Sequence, residues 1–176
     1  MTGTILHTER LRLEPWTVAH LDGLSLMGAD PRVMRYVGGV TQSRDETAAA
    51  IERQMGKWTA HGFGWWSFIE RATGELVGAG CIQHLAGNVA HPLEIGWRLR
   101  PDRWGRGYAT EAARAMGGFA FDRLAIPTLL AVAVPENTAS RRVMERLGMG
   151  FRGIEPWYEM ELATYEITVA EWRAEL

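Results

Sequence analysis

RWGRGYATEA, residues 103–112, joins a glycine-containing loop directly to a run of good helix formers. The residues before it, LEIGWRLR at 93–100, alternate apolar and polar side chains as a β-strand does. A strand, a glycine loop and a helix start bring unpaired backbone N–H groups and the positive end of a helix dipole to one place. The stretch therefore predicts a site for an anion, because glycine lets a ligand approach the backbone closely.

The charge around this loop differs from the charge of the whole chain. The 176 residues carry 19 Lys and Arg against 21 Asp and Glu, which gives a formal charge of −2. Near the loop, Asp102 stands among four arginines: Arg98, Arg100, Arg103 and Arg106. A local basic cluster suits an anionic ligand, whereas the acidic total argues against a general nucleic-acid or membrane-surface binder. The alternative is a tight turn whose arginines are merely solvated.

The spacing of the motifs excludes several other kinds of site. The chain has no Gly-x-x-x-x-Gly-Lys-Ser/Thr sequence, and GRGYATEA lacks the third glycine of the dinucleotide motif at its proper position. The five histidines are not spaced as metal ligands, and Cys81 is the only cysteine. We therefore expect no metal site and no internal disulfide.

Length and composition predict one soluble domain over residues 1–176. An apolar content of 47% is enough for one well-buried core and short for two in a chain of this size. No apolar run approaches the roughly 18 residues that a membrane span needs, and the first residues do not have the pattern of a secretory leader. We expect a reducing, cytoplasmic location and neither a membrane nor a nucleic-acid partner.

The periodicity of the chain predicts an α/β fold. In chain order, the elements are a strand at 10–16, helices at 17–27 and 44–60, a hairpin of 65–71 and 75–85, a strand at 93–100, a helix from 108, a strand at 128–134, a helix at 137–148, and strands near 149–155 and 158–168. Ser43 and Glu46 have the spacing of a capping box. Together these elements predict a mixed sheet flanked by helices.

Five pieces of the chain, in order, resemble the GNAT acetyltransferases. They are TERLRLEPW (8–16), DPRVMRYVG (30–38), EIGW (94–97), WGRGYA (104–109) and NTASRRVMERLGM (137–149). The phosphate loop of that family has the pattern Gln/Arg-x-x-Gly-x-Gly/Ala, from which Trp104 departs in the first place. An aromatic residue there is similar to the branch of ribosomal-protein N-terminal (Rim-type) acetyltransferases.

The resemblance implies a GNAT fold with acetyl-CoA as co-substrate. The sheet would be mixed and mostly antiparallel, and acetyl-CoA would lie in a V-shaped gap between splayed parallel strands at 93–100 and 128–134. Its pyrophosphate would rest on the backbone N–H groups of 105–110. The residues implied to bind it are Leu99, Trp104, Gly105, Arg106, Gly107, Tyr108, Ala109, Thr110 and Asn137.

Two residues are the catalytic candidates that the resemblance implies, Glu94 and Ser140. Glu94, in EIGW, matches a proposed base, although a strand glutamate also pairs readily with an arginine. Many family members protonate the leaving thiolate with a tyrosine, but Met144 stands in that place and has no proton to give. The related branch uses a serine, here Ser140, which also fits a hydroxyl bonded to its own helix. Asn137 equally fits a helix cap alone.

The function implied is transfer of an acetyl group to a primary amine, by direct attack of the amine on the thioester. Cys81 lies in an apolar run, which favours packing over a nucleophilic role. The alternatives are a non-catalytic acyl-CoA-binding or sensing domain and an unrelated anion-binding module. A protein N-terminus and a small-molecule amine both remain open as acceptor, with Trp65, Trp66 and Trp157 as candidates to line its pocket. The choice between a monomer and a homodimer is also open.

Overall fold

The computed structural model describes residues 3–175. Its strands are β1 (Leu6–His7), β2 (Leu11–Pro15), β3 (Trp65–Glu70), β4 (Leu76–His84), β5 (Leu93–Leu99), β6 (Thr128–Ala133), β7 (Gly150–Trp157) and β8 (Met160–Thr168). Its helices are α1 (Leu21–Ala29), α2 (Pro31–Met34), α3 (Arg44–His61), α4 (Tyr108–Asp122), α5 (Thr138–Arg146) and α6 (Val169–Ala174). Within these residues, no helix is both long and apolar enough to cross a membrane.

The chain divides into two compact units. The first comprises the residues up to Cys81 together with Trp97–Ala112, and the second comprises Ile82–Gly96 together with the residues from Ala113 onward. The boundaries fall within β4, β5 and α4, so each of these elements contributes residues to both units. The single domain expected from length and composition stays a prediction.

In the first unit, the strands pair in the order β1-β2-β3-β4, and every pair is antiparallel. The predicted hairpin is confirmed: β3 and β4 pair with Phe68 opposite Gly78, and Gly74 turns the chain with a φ of 74°. A side chain at Gly78 would come within 2.5 Å of Leu99, so only glycine allows this close approach of the strands.

Helices α1, α2 and α3 of the first unit share one apolar cluster. Its buried members are Trp16, Leu24, Met27, Val33, Met34, Ile51 and Ala79. The predicted capping box of α3 is confirmed, since Ser43 accepts from the backbone of Glu46 and the Glu46 side chain accepts from that of Ser43. Helix α2 was not predicted, because its four residues are too few to display a helical period.

In the second unit, β5 and β6 run parallel, with Glu94 opposite Leu130. Strand β6 pairs with β8, and β8 with β7, both antiparallel. A mixed, mostly antiparallel sheet with one parallel pair and flanking helices is the fold class that the sequence predicted, and it is confirmed. Residues 158 and 159 form the tight turn between β7 and β8, whereas the sequence predicted a strand from 158.

Strand β5 is covered on both faces. Its alternating sequence indicated one apolar and one polar side, but Glu94 is only 5% exposed and Arg98 only 8% exposed, as well covered as their apolar neighbours. Burying these two charged side chains costs free energy unless each is paired or hydrogen-bonded.

Candidate active site

The loop before α4 has the backbone of an anion cradle. Gly105 and Gly107 have φ values of 71° and 80°, which only glycine adopts without strain. A Cβ at Gly105 would meet nothing within 4 Å, and one at Gly107 only the tip of Arg10, at 3.5 Å. Added side chains would therefore project into the open space from which a ligand approaches the backbone.

Helix α4 supplies the donors of this cradle. It begins at Tyr108, and the first of its backbone bonds runs from the N–H of Glu111 to the carbonyl of Gly107, at 3.0 Å. The N–H groups of residues 108–110 precede that bond, so they point out of the helix at the positive end of its dipole. The geometry fits the phosphate groups of a nucleotide-like ligand.

Glu70 anchors the loop from strand β3. It accepts hydrogen bonds from the Tyr108 hydroxyl and from Thr73 Oγ1, the latter at 2.8 Å, and Arg103 lies 3.3 Å away. The Tyr108 hydroxyl, then Thr73 and then Arg103 lower the pKa of Glu70 to about 2, against the opposing effect of burial. The same hydrogen bond raises the pKa of Tyr108, which makes its hydroxyl a weaker acid.

Most of the loop's positive charge is already paired. Arg100 lies 2.8 Å from Asp102 and 3.2 Å from Glu75, and Arg103 lies 2.6 Å from Asp102 and 3.0 Å from Glu75. The sequence indicated Asp102 as the only opposing charge, which was wrong because the chain brings Glu75 back from the β3–β4 hairpin. Arg106 is exposed and makes no ion pair with any residue of the described range 3–175.

Two further side chains, Arg10 and Trp104, hold the shape of the loop. Arg10 lies 2.7 Å from the Glu111 carboxylate, and its Nη1 donates to the carbonyl of Arg106 at 2.9 Å. Trp104 donates from Nε1 to the carbonyl of Leu99 at 3.0 Å. This hydrogen bond ties the start of the loop to the end of β5.

In the second unit, Glu94 is a buried carboxylate with neutral partners. Its Oε1 accepts from Gln83 Nε2 at 2.9 Å and from the Tyr158 hydroxyl. Burial raises the pKa of Glu94, and the hydrogen bonds from Tyr158 and Gln83 oppose that effect only in part. No arginine of the described chain pairs with it, so the alternative of a simple ion pair is excluded for residues 3–175. A carboxylate with a raised pKa binds a proton more readily than an exposed one does.

Tyr158 reaches Glu94 through an unusual turn. Tyr158 and Glu159 connect β7 to β8 with φ values of 53° and 59°, a left-handed conformation that asparagine and glycine adopt more readily. The sequence analysis did not identify Tyr158 or Gln83 as partners of Glu94, since they lie 64 and 11 residues from it. The sequence analysis placed residue 158 in a strand, and nothing local in the sequence indicates what the tyrosine contacts.

The three tryptophans considered for the acceptor pocket differ in exposure. Trp66 is fully buried and donates to the carbonyl of Thr4 at 2.8 Å, so a pocket role for it was wrong. Trp65 is half-buried in the first unit. Trp157, in the second unit, is half-buried and meets the ring of His91 edge to face, 5.2 Å between centroids.

The start of α5 carries the remaining candidates. Asn137 Oδ1 accepts from the backbone N–H of Ser140 at 3.2 Å, which confirms the helix-cap function of Asn137. Ser140 is half-buried in the first turn. Met144 is 2% exposed, and it is part of the core rather than a proton donor. The roles of Glu94, Ser140 and Asn137 toward substrates stay predictions.

The sequence of this chain is similar to those of known acetyltransferases. A family model described as an acetyltransferase (GNAT) domain matches residues 10–150. A protein of Aspergillus fumigatus named FsC-acetyl coenzyme A-N(2)-transacetylase is 32% identical, with 95% of this chain and 77% of that protein covered.

Solved structures extend the likeness to the fold. An acetyltransferase from Agrobacterium tumefaciens is 31% identical with a TM-score of 0.82, and the match covers 95% of each chain. The ribosomal-protein-S5-alanine acetyltransferase from Vibrio fischeri shares only the fold, with 11% identity, a TM-score of 0.78 and coverage of 97% and 99%. The family match spans most of the chain and includes the glycine loop and Glu94, and on this ground the chain belongs to the GNAT acetyltransferase family.

Proposed function

We propose that this protein transfers the acetyl group of acetyl-CoA to a primary amine, either a protein N-terminus or a small molecule. The observation that carries the proposal is Glu94, a buried carboxylate with a raised pKa and only neutral hydrogen-bond partners among the described residues. Such a group is a candidate general base. The name of the Aspergillus relative describes acetyl transfer from coenzyme A to a nitrogen, which supports the donor and the acceptor class.

The loop of the first unit is the proposed site for acetyl-CoA. The open space beside Gly105 and Gly107 fits a pyrophosphate against the N–H groups of residues 105–110, and Arg106 is available for charge pairing. Trp104 and Leu99, which are joined by a hydrogen bond at the start of the loop, are further proposed contacts of acetyl-CoA in the first unit. Asn137, in the second unit, is proposed on the family resemblance alone. When bound, acetyl-CoA supplies a thioester carbon that forms a bond to the amine nitrogen while the carbon–sulfur bond breaks.

Glu94 would take the proton that the amine must lose. Alkyl amines have pKa values of about 8 to 10.4, so at neutral pH most of the acceptor is protonated and cannot attack. Both hydrogen bonds to Glu94 end on Oε1. The other oxygen, Oε2, is therefore the atom that would accept the proton, directly or through water, while Gln83 and Tyr158 hold the carboxylate in place.

Ser140 would assist the departing sulfur. A thiol has a pKa of about 8.5, so protonation of the leaving group is helpful but not indispensable at neutral pH. A serine hydroxyl is a weak acid, and Ser140 would donate a hydrogen bond or relay a proton from water.

A second candidate is a non-catalytic acyl-CoA-binding domain, favoured by the buried Met144 at the place of the family's tyrosine. One assay separates the two. Acetyl-CoA consumption is measured over a panel of amines and peptides, with mass spectrometry of the products, beside the dissociation constant of CoA. Acetylated product supports the enzyme; tight CoA binding without any product across the panel contradicts it.

A further inference from the structure

Arg98 is a buried arginine without an acidic partner. It lies on β5 and is 8% exposed. Its Nη1 donates to the sulfur of Met34 at 3.3 Å, a weak acceptor. Its Nε is buried and has no hydrogen-bond partner, and no carboxylate of residues 3–175 pairs with the guanidinium. Buried charges in proteins are ordinarily paired or hold a ligand, and Arg98 departs from that pattern.

Two indoles surround the guanidinium. The carbon Cζ of Arg98 lies 5.4 Å from the ring centre of Trp65 and 5.9 Å from that of Trp16. The two indole rings are 5.1 Å apart and inclined by 41°. Contacts with aromatic faces attract the cation but do not use its N–H groups. Nε1 of Trp16 is likewise buried without a partner, so two neighbouring side chains of the first unit both have an unused donor.

The buried Nε–H of Arg98 lies on one edge of the guanidinium together with Nη2. Nε–H and one N–H of Nη2 point in the same direction, and this edge is the fork that holds the two oxygens of a carboxylate. Burial lowers the pKa of Arg98 to about 10, so the side chain stays charged at pH 7. Arg98 thus presents a positive charge that no carboxylate of residues 3–175 pairs with, and its guanidinium lies beside two indole rings.

We propose that the Arg98 cluster, which consists of Trp16, Met34, Trp65 and Arg98, binds the carboxylate of a small organic acid. The carboxylate would occupy the Nε–Nη2 edge of Arg98 and accept from Nε1 of Trp16, while the apolar part of the ligand contacts the indoles. The donors of Arg98 and Trp16 suit a planar ligand with one negative charge. The inference does not rest on the proposed acetyl transfer.

The first test uses the wild-type protein without acetyl-CoA. The midpoint of thermal unfolding is measured with acetate, hexanoate and phenylacetate, each beside its neutral amide. A ligand that binds only the folded state raises the midpoint. We expect at least one carboxylate to raise it while its amide does not. If no carboxylate exceeds its amide, the proposal is overturned.

The second test uses Arg98→Met beside Arg12→Met. Removing an uncompensated buried charge in favour of a similar apolar volume is expected to raise the ligand-free midpoint by about 2 °C or more and to abolish the carboxylate effect. Arg12 is 45% exposed and paired with Glu14, so its replacement should leave both readings nearly unchanged. A lower midpoint for folded Arg98→Met would show that Arg98 is a structural residue and would refute the proposal.

Arg98→Lys keeps the test decisive if the methionine variant does not fold. Lysine keeps the charge but lacks the fork. Calorimetric titration with the best carboxylate of the first test should show an affinity loss of about 10-fold or more. An unchanged affinity would contradict binding on the Nε–Nη2 edge.

Discussion

The two units each contain a buried glutamate that accepts a hydrogen bond from a tyrosine, and the two pairs behave in opposite ways. In the first unit Tyr108, Thr73 and Arg103 lower the pKa of Glu70 to about 2. In the second unit burial raises the pKa of Glu94, although Tyr158 donates to it in the same manner. A tyrosine contact therefore does not by itself decide the charge of a carboxylate. The other neighbours and the burial of each carboxylate decide it. They keep Glu70 ionised at neutral pH and make Glu94 a group able to exchange a proton.

Gly107→Val is expected to have the largest effect, on CoA binding at the loop of the first unit. Valine is strained at a φ of 80°, and its side chain would project into the space beside the loop, so CoA binding should be lost while the fold is kept. Calorimetric titration with CoA measures this. Gly118→Val is the matched control, because a Cβ at Gly118 of α4 also meets nothing within 4 Å. An unchanged affinity in a folded Gly107→Val protein would refute the loop assignment.

Glu94→Gln removes the proposed base from the second region. We expect kcat/KM to fall about 10²- to 10⁴-fold at neutral pH, with partial recovery at higher pH as the amine loses its own proton. CoA affinity should barely change. Glu161→Gln, an exposed glutamate on β8, is the control. A pH–rate profile of wild-type height and shape would exclude Glu94 as the base.

The two tyrosine–glutamate pairs are compared by replacing each tyrosine with phenylalanine. The Tyr158 hydroxyl lowers the pKa of Glu94, so Tyr158→Phe should move the acidic limb of the kcat/KM profile to higher pH and reduce the rate at neutral pH by about tenfold. Tyr108→Phe acts on Glu70, and the position of that limb should not move. The same shift in both variants, or in neither, would contradict the positioning role of Tyr158.

The smallest effects are on stability, and they should have opposite signs. The folded-state pKa of Glu70 lies below the unfolded value of about 4.3, so its contribution is complete above that pH and is lost as the pH falls toward about 2. Glu70→Gln should therefore lower the unfolding midpoint at neutral pH, and its difference from wild type should shrink in acid. Glu52→Gln, exposed on α3, is the control.

Glu94→Gln should raise the same midpoint at neutral pH. The folded-state pKa of Glu94 lies above its unfolded value, so the ionised side chain opposes folding and the wild type gains stability as the pH falls through the folded-state value. Thermal unfolding at several pH values between 2 and 8 compares both variants with the wild type. Midpoint changes of equal sign at neutral pH would mean that the two carboxylates do not differ in charge as described.

The sequence predicted the framework well because its signals are local. The capping box of α3, the β3–β4 hairpin and the loop before α4 each depend on residues within a few positions of one another, and all three lie where they were expected. Helix α2 was missed because four residues show no period.

Partners that are distant in the chain were beyond such local signals. Glu75 neutralises part of the loop charge, Tyr158 reaches Glu94, and Trp16 meets Arg98 only after the strands have paired. The glutamate could be selected as a candidate from its motif, whereas its charge state depends on burial and on Gln83 and Tyr158, which the linear sequence does not reveal.

The turn at Tyr158 and Glu159 also bears on the order of folding. Two-residue hairpin turns of this shape form readily when asparagine and glycine occupy them, but here two bulkier residues adopt the left-handed conformation, at about 1 kcal/mol or more each. A turn with this cost is a poor nucleus for its own hairpin. We expect β7 and β8 to be brought together by the pairing of β8 with β6, so that Tyr158 reaches Glu94 only in the last steps by which the native state assembles.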